Sequence, residues 1–196
     1  MKLGIRPKIN RLGRIGGHVV VLSLLCLTPL DLAAKAVRLR DGTVHFAGVP
    51  VLGKVSTTNN QSWSWGATYF FTLQIPADAS EPLGRVDIQQ REGLDSIDFN
   101  LKQTYAYQDG DRRQRLEVVA TATAKDTLTL IFDPPVPPGT AITLGLSPYN
   151  NPRTSGVYLF GVTAFPAGEQ VSSQFIGHGR LQFYDRTFRD RWFGGW

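Results

Sequence analysis

Asp95 and Asp98, three positions apart, come closest to a catalytic pair in this chain. A glycosidase needs only two acids, one to protonate the leaving oxygen and one to act as base or nucleophile. Here both lie in a turn-like stretch, Gly93-Leu94-Asp95-Ser96-Ile97-Asp98, where short polar side chains bind the local backbone, and that duty accounts for them without catalysis. Of the three histidines, His18 belongs to an apolar leader, so His45 and His178 are left, and His178 in Gly177-His178-Gly179 reads as a turn residue. Two histidines without a cysteine make a poor zinc site, which normally takes three or four ligands. No Gly-x-Ser-x-Gly elbow marks a nucleophile and no glycine-rich loop is shaped for phosphate. Asp109-Gly110-Asp111 lacks the further acidic ligands of a calcium loop and reads as a hairpin tip. The expectation is no catalytic residue, no metal and no cofactor.

Binding chemistry is better represented. Trp63 and Trp65 could stack on sugar rings, whereas the plainer expectation is burial, because they are in phase with Ala67, Tyr69, Phe71, Leu73 and Ile75 if the strand runs back without a bulge. A bulge at Gly66 would turn them outward. Asn150, Asn151 and Arg153 lie in a turn that feeds a long apolar strand, and turns held by a rigid scaffold are where recognition residues collect. Pinning that turn is the simpler role for Arg153. Asn60-Gln61-Ser62 fits a glycosylation sequon, with chance as the better explanation.

These residues need elements to position them. The first 36 residues read as a secretory signal peptide. Lys2, Arg6, Lys8, Arg11 and Arg14 make a basic start, Val19 to Leu30 is apolar, and Ala33, Ala34 and Ala36 are small enough for cleavage. The apolar run is about a dozen residues, short of the roughly 20 that span a bilayer. Cys26, the single cysteine, follows two leucines and does not suit a lipid anchor. The leader holds six of the 21 basic residues and one of the 16 acidic ones, which leaves 15 of each and a neutral domain. The basic isoelectric point is therefore the leader's, and nothing points to nucleic acid.

From residue 37 to 184 short strands alternate with turn signals. Tyr69 to Ile75 has a clear period of two. Thr43–Ala47 reads as a first edge strand, Lys54–Ser64 as a surface loop, and Pro76–Gly84 as a turn or one helical turn with Asp78 as its cap. Further strands are expected at Arg85–Arg91, Ile97–Leu101, Arg115–Ala122, Thr127–Phe132, Thr140–Leu146 and around Leu181–Tyr184. Asp133-Pro134-Pro135-Val136-Pro137-Pro138-Gly139 reads as a rigid corner. Val157 to Phe165 has so few polar residues that it reads as a strand buried on both faces. Phe188 and Trp192, four apart in an aromatic and basic tail over 185–196, suit a docked helix that would cover it. The pattern as a whole predicts an all-β domain, a two-sheet antiparallel sandwich of immunoglobulin-like architecture, with a barrel as second choice.

Several blocks carry a resemblance. Asn151-Pro152-Arg153, Gly156-Val157-Tyr158-Leu159-Phe160, Ala164-Phe165-Pro166-Ala167-Gly168, Pro134 to Gly139, Ile75 to Leu83, and Gly177 to Tyr184 resemble the cyanobacterial family called domain of unknown function 2808. The resemblance covers roughly Thr43 to Tyr184 and implies an exported protein of a family without assigned activity, so no functional residue carries over. Three functions are then in play. First is a non-enzymatic structural or protein-interaction module of the periplasm or cell envelope, with the thylakoid lumen and cell exterior as other compartments. Second is a module that binds envelope polysaccharide through Trp63, Trp65 and the Asn150 to Arg153 turn, and third a small hydrolase using Asp95, Asp98 or His178.

Overall fold

A computed structural model describes residues 37–38, 42–124 and 126–185 of the chain. The expected signal peptide and the tail with Phe188 and Trp192 lie outside the described residues. Among those described, no helix is long and apolar enough to cross a membrane. The strands are β1 (Val37–Arg38), β2 (Val44–His45), β3 (Val51–Thr57), β4 (Tyr69–Gln74), β5 (Leu83–Glu92), β6 (Tyr105–Gln108), β7 (Arg115–Leu116), β8 (Val118–Ala124), β9 (Thr127–Val136), β10 (Ala141–Leu146), β11 (Gly156–Pro166) and β12 (Gln174–Phe183).

Ten of them build two five-stranded antiparallel sheets in the orders β3-β4-β10-β6-β7 and β12-β11-β5-β9-β8. The runs β3-β4-β10-β6 and β12-β11-β5 reproduce the A-B-E-D and G-F-C rows of an immunoglobulin-like sandwich, with the β8–β9 hairpin added beyond the C position. Tyr69, Phe71 and Leu73 of β4 face inward as their alternation requires, and they meet Ile88, Leu130, Phe160, Val162 and Phe183 from the other sheet in one core. Tyr69, Phe71, Phe160 and Phe183 interlock at ring separations of 5.6 to 6.3 Å, mostly tilted or edge-on, as aromatic quadrupoles prefer.

The structure corrects several local expectations. Thr43–Ala47 contributes only the short β2, which pairs with β1 in a separate two-stranded sheet. The first four residues of the expected surface loop Lys54–Ser64 belong to β3, an edge strand on β4 whose exposed outer face made it look irregular, and the rest is loop. Ile97–Leu101 is not a strand. It holds one bridge, Phe99 to Pro148, and then enters a 3-10 turn over Leu101–Gln103, while Ile97 is buried by the packing of the loop. The 3-10 turn over Ala77–Ala79 has no side-chain cap from Asp78. Arg115–Ala122 divides at Glu117, so β7 serves one sheet and β8 the other.

The proline corner also forms differently. β9 runs on to Val136, and its prolines fall past Phe132, the last residue paired with β8, where no ladder donor is required. Gly177-His178-Gly179 is strand, not turn, and Gly179 is needed because a Cβ there would come 2.7 Å from the Phe71 ring. β11 is buried on one face only. Tyr158, Phe160, Val162 and Ala164 point into the core, while Val157 is 38% exposed and Phe165 lies beneath the Arg85 guanidinium, 3.6 Å from its ring centroid. Long charged side chains of β5 cover part of this outer face, Arg85 over Phe165 and Arg91 against Gly161.

Candidate ligand-binding site

The strand directions bring four segments to one end of the sandwich: the β3–β4 loop, the β5–β6 loop, the β10–β11 turn and the residues after β12. Backbone bonds tie them together. Ser62 N–H donates to Tyr184 O (2.9 Å), Trp63 N–H to Pro152 O (3.0 Å), Asn151 N–H to Ser64 O (2.7 Å) and Tyr149 N–H to Asp98 O (2.9 Å).

Asn151 is the post around which this end is arranged. Its side chain is 2% exposed and fully employed. Oδ1 accepts from the Tyr69 hydroxyl (2.9 Å), and Nδ2 donates to Asn59 O (3.0 Å) and Gln61 O (2.8 Å). Burial pushes the Tyr69 hydroxyl pKa far above its ordinary value, so it stays a neutral donor. The β3–β4 loop, held at those two carbonyls, crosses the Asn151-Pro152 turn closely, and only the small Ser62 and Ser64, each 3% exposed, fit underneath. Trp63, in the left-handed region at φ 60°, and Trp65 are therefore turned outward. They are 64% and 81% exposed, which overturns the expectation of burial. Gly66, at φ +71°, changes the phase so that Ala67 and Tyr69 return to the core.

Asp95 has a positioning task. Its Oδ2 accepts the Thr154 N–H at 2.6 Å and lies 3.4 Å from the Tyr158 hydroxyl, which itself donates to Thr154 O (2.9 Å). Gln90 spans the same loop, donating to Asp95 O (2.7 Å) and accepting from Ile97 N–H (3.0 Å). The Thr154 N–H above all holds the Asp95 carboxyl below its ordinary pKa, although partial burial opposes the shift. A carboxylate whose pKa is lower folded than unfolded stabilises the fold fully above its unfolded value of about 4, and that contribution is lost as pH falls toward the folded value. Asp95→Asn is therefore expected to be less stable than the wild type at pH 7, with the gap closing below about pH 4. Denaturant midpoints across a pH series read this directly, and a gap independent of pH would contradict the assignment.

These contacts leave a pocket of about 510 Å³ whose wall includes Trp63, Leu94, Asp98, Tyr149, Asn150 and Arg153. The Arg153 guanidinium stands 5.0 Å from the Trp63 ring centroid, in cation–π range, so the turn and the indole brace each other. Of the residues singled out in the sequence, Trp63, Asp95, Asp98, Asn150, Asn151 and Arg153 line this pocket. Trp65 stands at the same end outside its wall. His178 is on β12, exposed and packed edge-on to Phe175 at 4.9 Å, on the outer face of the sheet. Leu94, Tyr149 and Tyr184, exposed at 82%, 60% and 51%, also belong to this end and were not singled out, because an isolated Leu or Tyr in a turn carries no periodic signal. Among the described residues no cluster of His, Cys, Asp and Glu is arranged to hold a metal.

Fold and site together define a small immunoglobulin-like sandwich with a polar pocket and outward-facing aromatic residues at one end. The chain belongs to the family described as protein of unknown function, DUF2808, whose profile matches residues 43–183. No curated protein sequence matches it significantly. Among solved structures it is similar to BslA, a bacterial hydrophobin, at 16% identity over 71% of this chain and 97% of that one, with a TM-score of 0.42. It is also similar to the N-terminal domain of the Streptococcus gordonii adhesin Sgo0707, at 13% identity over 72% of this chain and 34% of that one, with a TM-score of 0.46. A collagen-binding domain from a Staphylococcus aureus adhesin matches at 7% identity over 60% of this chain and 87% of that one, with a TM-score of 0.35. Likenesses at this level carry no argument about function.

Proposed function

We propose that this chain is an exported, non-enzymatic interaction module of the cell envelope and that its loop end binds envelope polysaccharide. One observation carries the reading: Trp63 and Trp65 are held outward on a loop that Asn151 anchors, beside a pocket that presents Asp98, Asn150 and Arg153. Sugar rings offer apolar faces that stack on indoles and equatorial hydroxyls that reach carboxylates, amides and guanidinium groups, so this combination suits a polyol better than an apolar ligand. The basic and apolar leader supports export. Asp95 is committed to the turn: its carboxylate accepts the Thr154 N–H and is held ionised by it, which suits a positioning role and not that of a general acid.

Co-sedimentation of the purified protein with isolated envelope polysaccharide tests the reading, next to a Trp63→Ala, Trp65→Ala variant shown to melt like the wild type. Pelleting of the wild type and at least a tenfold weaker affinity for the variant are expected, because each stacked ring contributes on the order of 1 kcal/mol. If the wild type stays in the supernatant at low and high salt, carbohydrate binding is wrong and the loop end serves a protein partner.

A further inference from the structure

The polar pocket has a neighbour. A second pocket of about 510 Å³ lies between the β5–β6 loop and the β8–β9 hairpin, and the two share Ser96, Asp98 and Tyr149. Their common wall is where the β5–β6 loop pairs with the β10–β11 turn, through the Phe99–Pro148 bridge, the Tyr149 N–H to Asp98 O bond and the Asn100 N–H to Ser147 O bond of 2.8 Å. The second pocket differs in character. Ile97, Phe99, Leu101, Ala122 and Leu128 form its floor and sides, with Asp98 and Asp126 at its polar margin. Asp126 is engaged by the Ser96 hydroxyl. Among the described residues no lysine or arginine lines it.

We propose that the ligand is a neutral glycolipid, with its sugar head on Trp63 and Arg153 in the polar pocket and the first part of its alkyl chain in the apolar one. This deepens the carbohydrate reading and rests on it. A plain polysaccharide would leave the part-exposed Phe99 and Leu101 uncovered, and a fatty acid would bring its carboxylate against Asp98 and Asp126. An uncharged head joined to an alkyl chain satisfies both pockets across their shared wall at Tyr149.

The test is a calorimetric titration of the purified protein with alkyl β-glucosides from methyl to decyl, each below its micelle concentration, with octanoate for comparison. Affinity is expected to rise about fourfold per added methylene, the transfer gain of one buried CH₂, until the pocket is full, and octanoate is expected to bind more weakly than octyl glucoside. Ala122 is exposed at the edge of this pocket, so Ala122→Trp fills it by packing over Ile97 and Leu128, and the variant is used once shown to melt like the wild type. That variant is expected to bind the methyl glucoside as the wild type does and to lose the dependence on chain length. Equal affinity for methyl and octyl glucoside overturns the glycolipid proposal and leaves the sugar platform standing. Absence of binding by the whole series also overturns it. The co-sedimentation result then decides whether the sugar platform survives.

Discussion

Asn151→Ala is expected to lower the stability of the domain by about 3 kcal/mol, on the order of 10 °C in melting temperature. The substitution removes three hydrogen bonds together and leaves the Tyr69 hydroxyl and the Gln61 carbonyl without this partner, while the Asn59 carbonyl keeps the Thr57 hydroxyl at 2.9 Å. Each bond contributes about 1 kcal/mol net, and the groups left behind add a desolvation cost that water repays only where it can enter. Tyr69→Phe supplies the control, because it deletes one bond and leaves both carbonyl contacts, so it should cost only about 1 kcal/mol. The two effects should couple in a double-mutant cycle, since both residues act through one contact. Chemical denaturation of the four proteins reads all of this. An Asn151→Ala variant within 1 kcal/mol of the wild type would mean that the side chain fills space and anchors nothing. If it anchors, this variant also frees the Trp63 loop, and polysaccharide binding should weaken although both tryptophans remain.

Phe160→Ala is expected to cost about 3–5 kcal/mol, whereas Val157→Ala on the same strand costs less than about 1 kcal/mol. Phe160 is fully buried, edge-on to Phe71 at 5.8 Å and tilted against Tyr69 at 6.3 Å, so its removal opens a cavity that rigid aromatic neighbours cannot close. Val157 faces outward, 38% exposed, and loses only partial contact. The contrast checks whether β11 is buried on one face, and equal costs at the two positions would restore the two-sided burial that its composition suggests. Urea midpoints of the two variants are sufficient.

Period-two alternation made the Tyr69–Ile75 strand readable, because one face of β4 meets the core and the other does not. The same rule failed for Val157–Phe165. On its outer side Phe165 is covered by Arg85 from β5, distant in sequence, while Val157 stays exposed, and composition does not record such pairing. It failed for β3 too, whose edge position lets Gly53 and Lys54 sit within a strand. At the site, Trp63, Asn150, Asn151 and Arg153 could be named as residues able to bind. Their arrangement could not, because Asn151 acts through Tyr69, Asn59 and Gln61, the last 90 positions away, and buried polar networks leave no periodic trace. The outward turn of Trp63 and Trp65 hinged on the phase change at Gly66, which sequence offered only as the less favoured alternative.

The central claim is that the outward indoles at the loop end bind sugar. The most direct test is the fraction of protein pelleted across a range of envelope polysaccharide concentrations, for the wild type and the Trp63→Ala, Trp65→Ala variant at matched melting temperature. The account predicts saturable pelleting of the wild type, reversed by soluble fragments of the same polysaccharide, with affinity at least tenfold weaker in the variant. Pelleting that the variant retains in full would contradict it, because the exposed tryptophans would then have no part in binding.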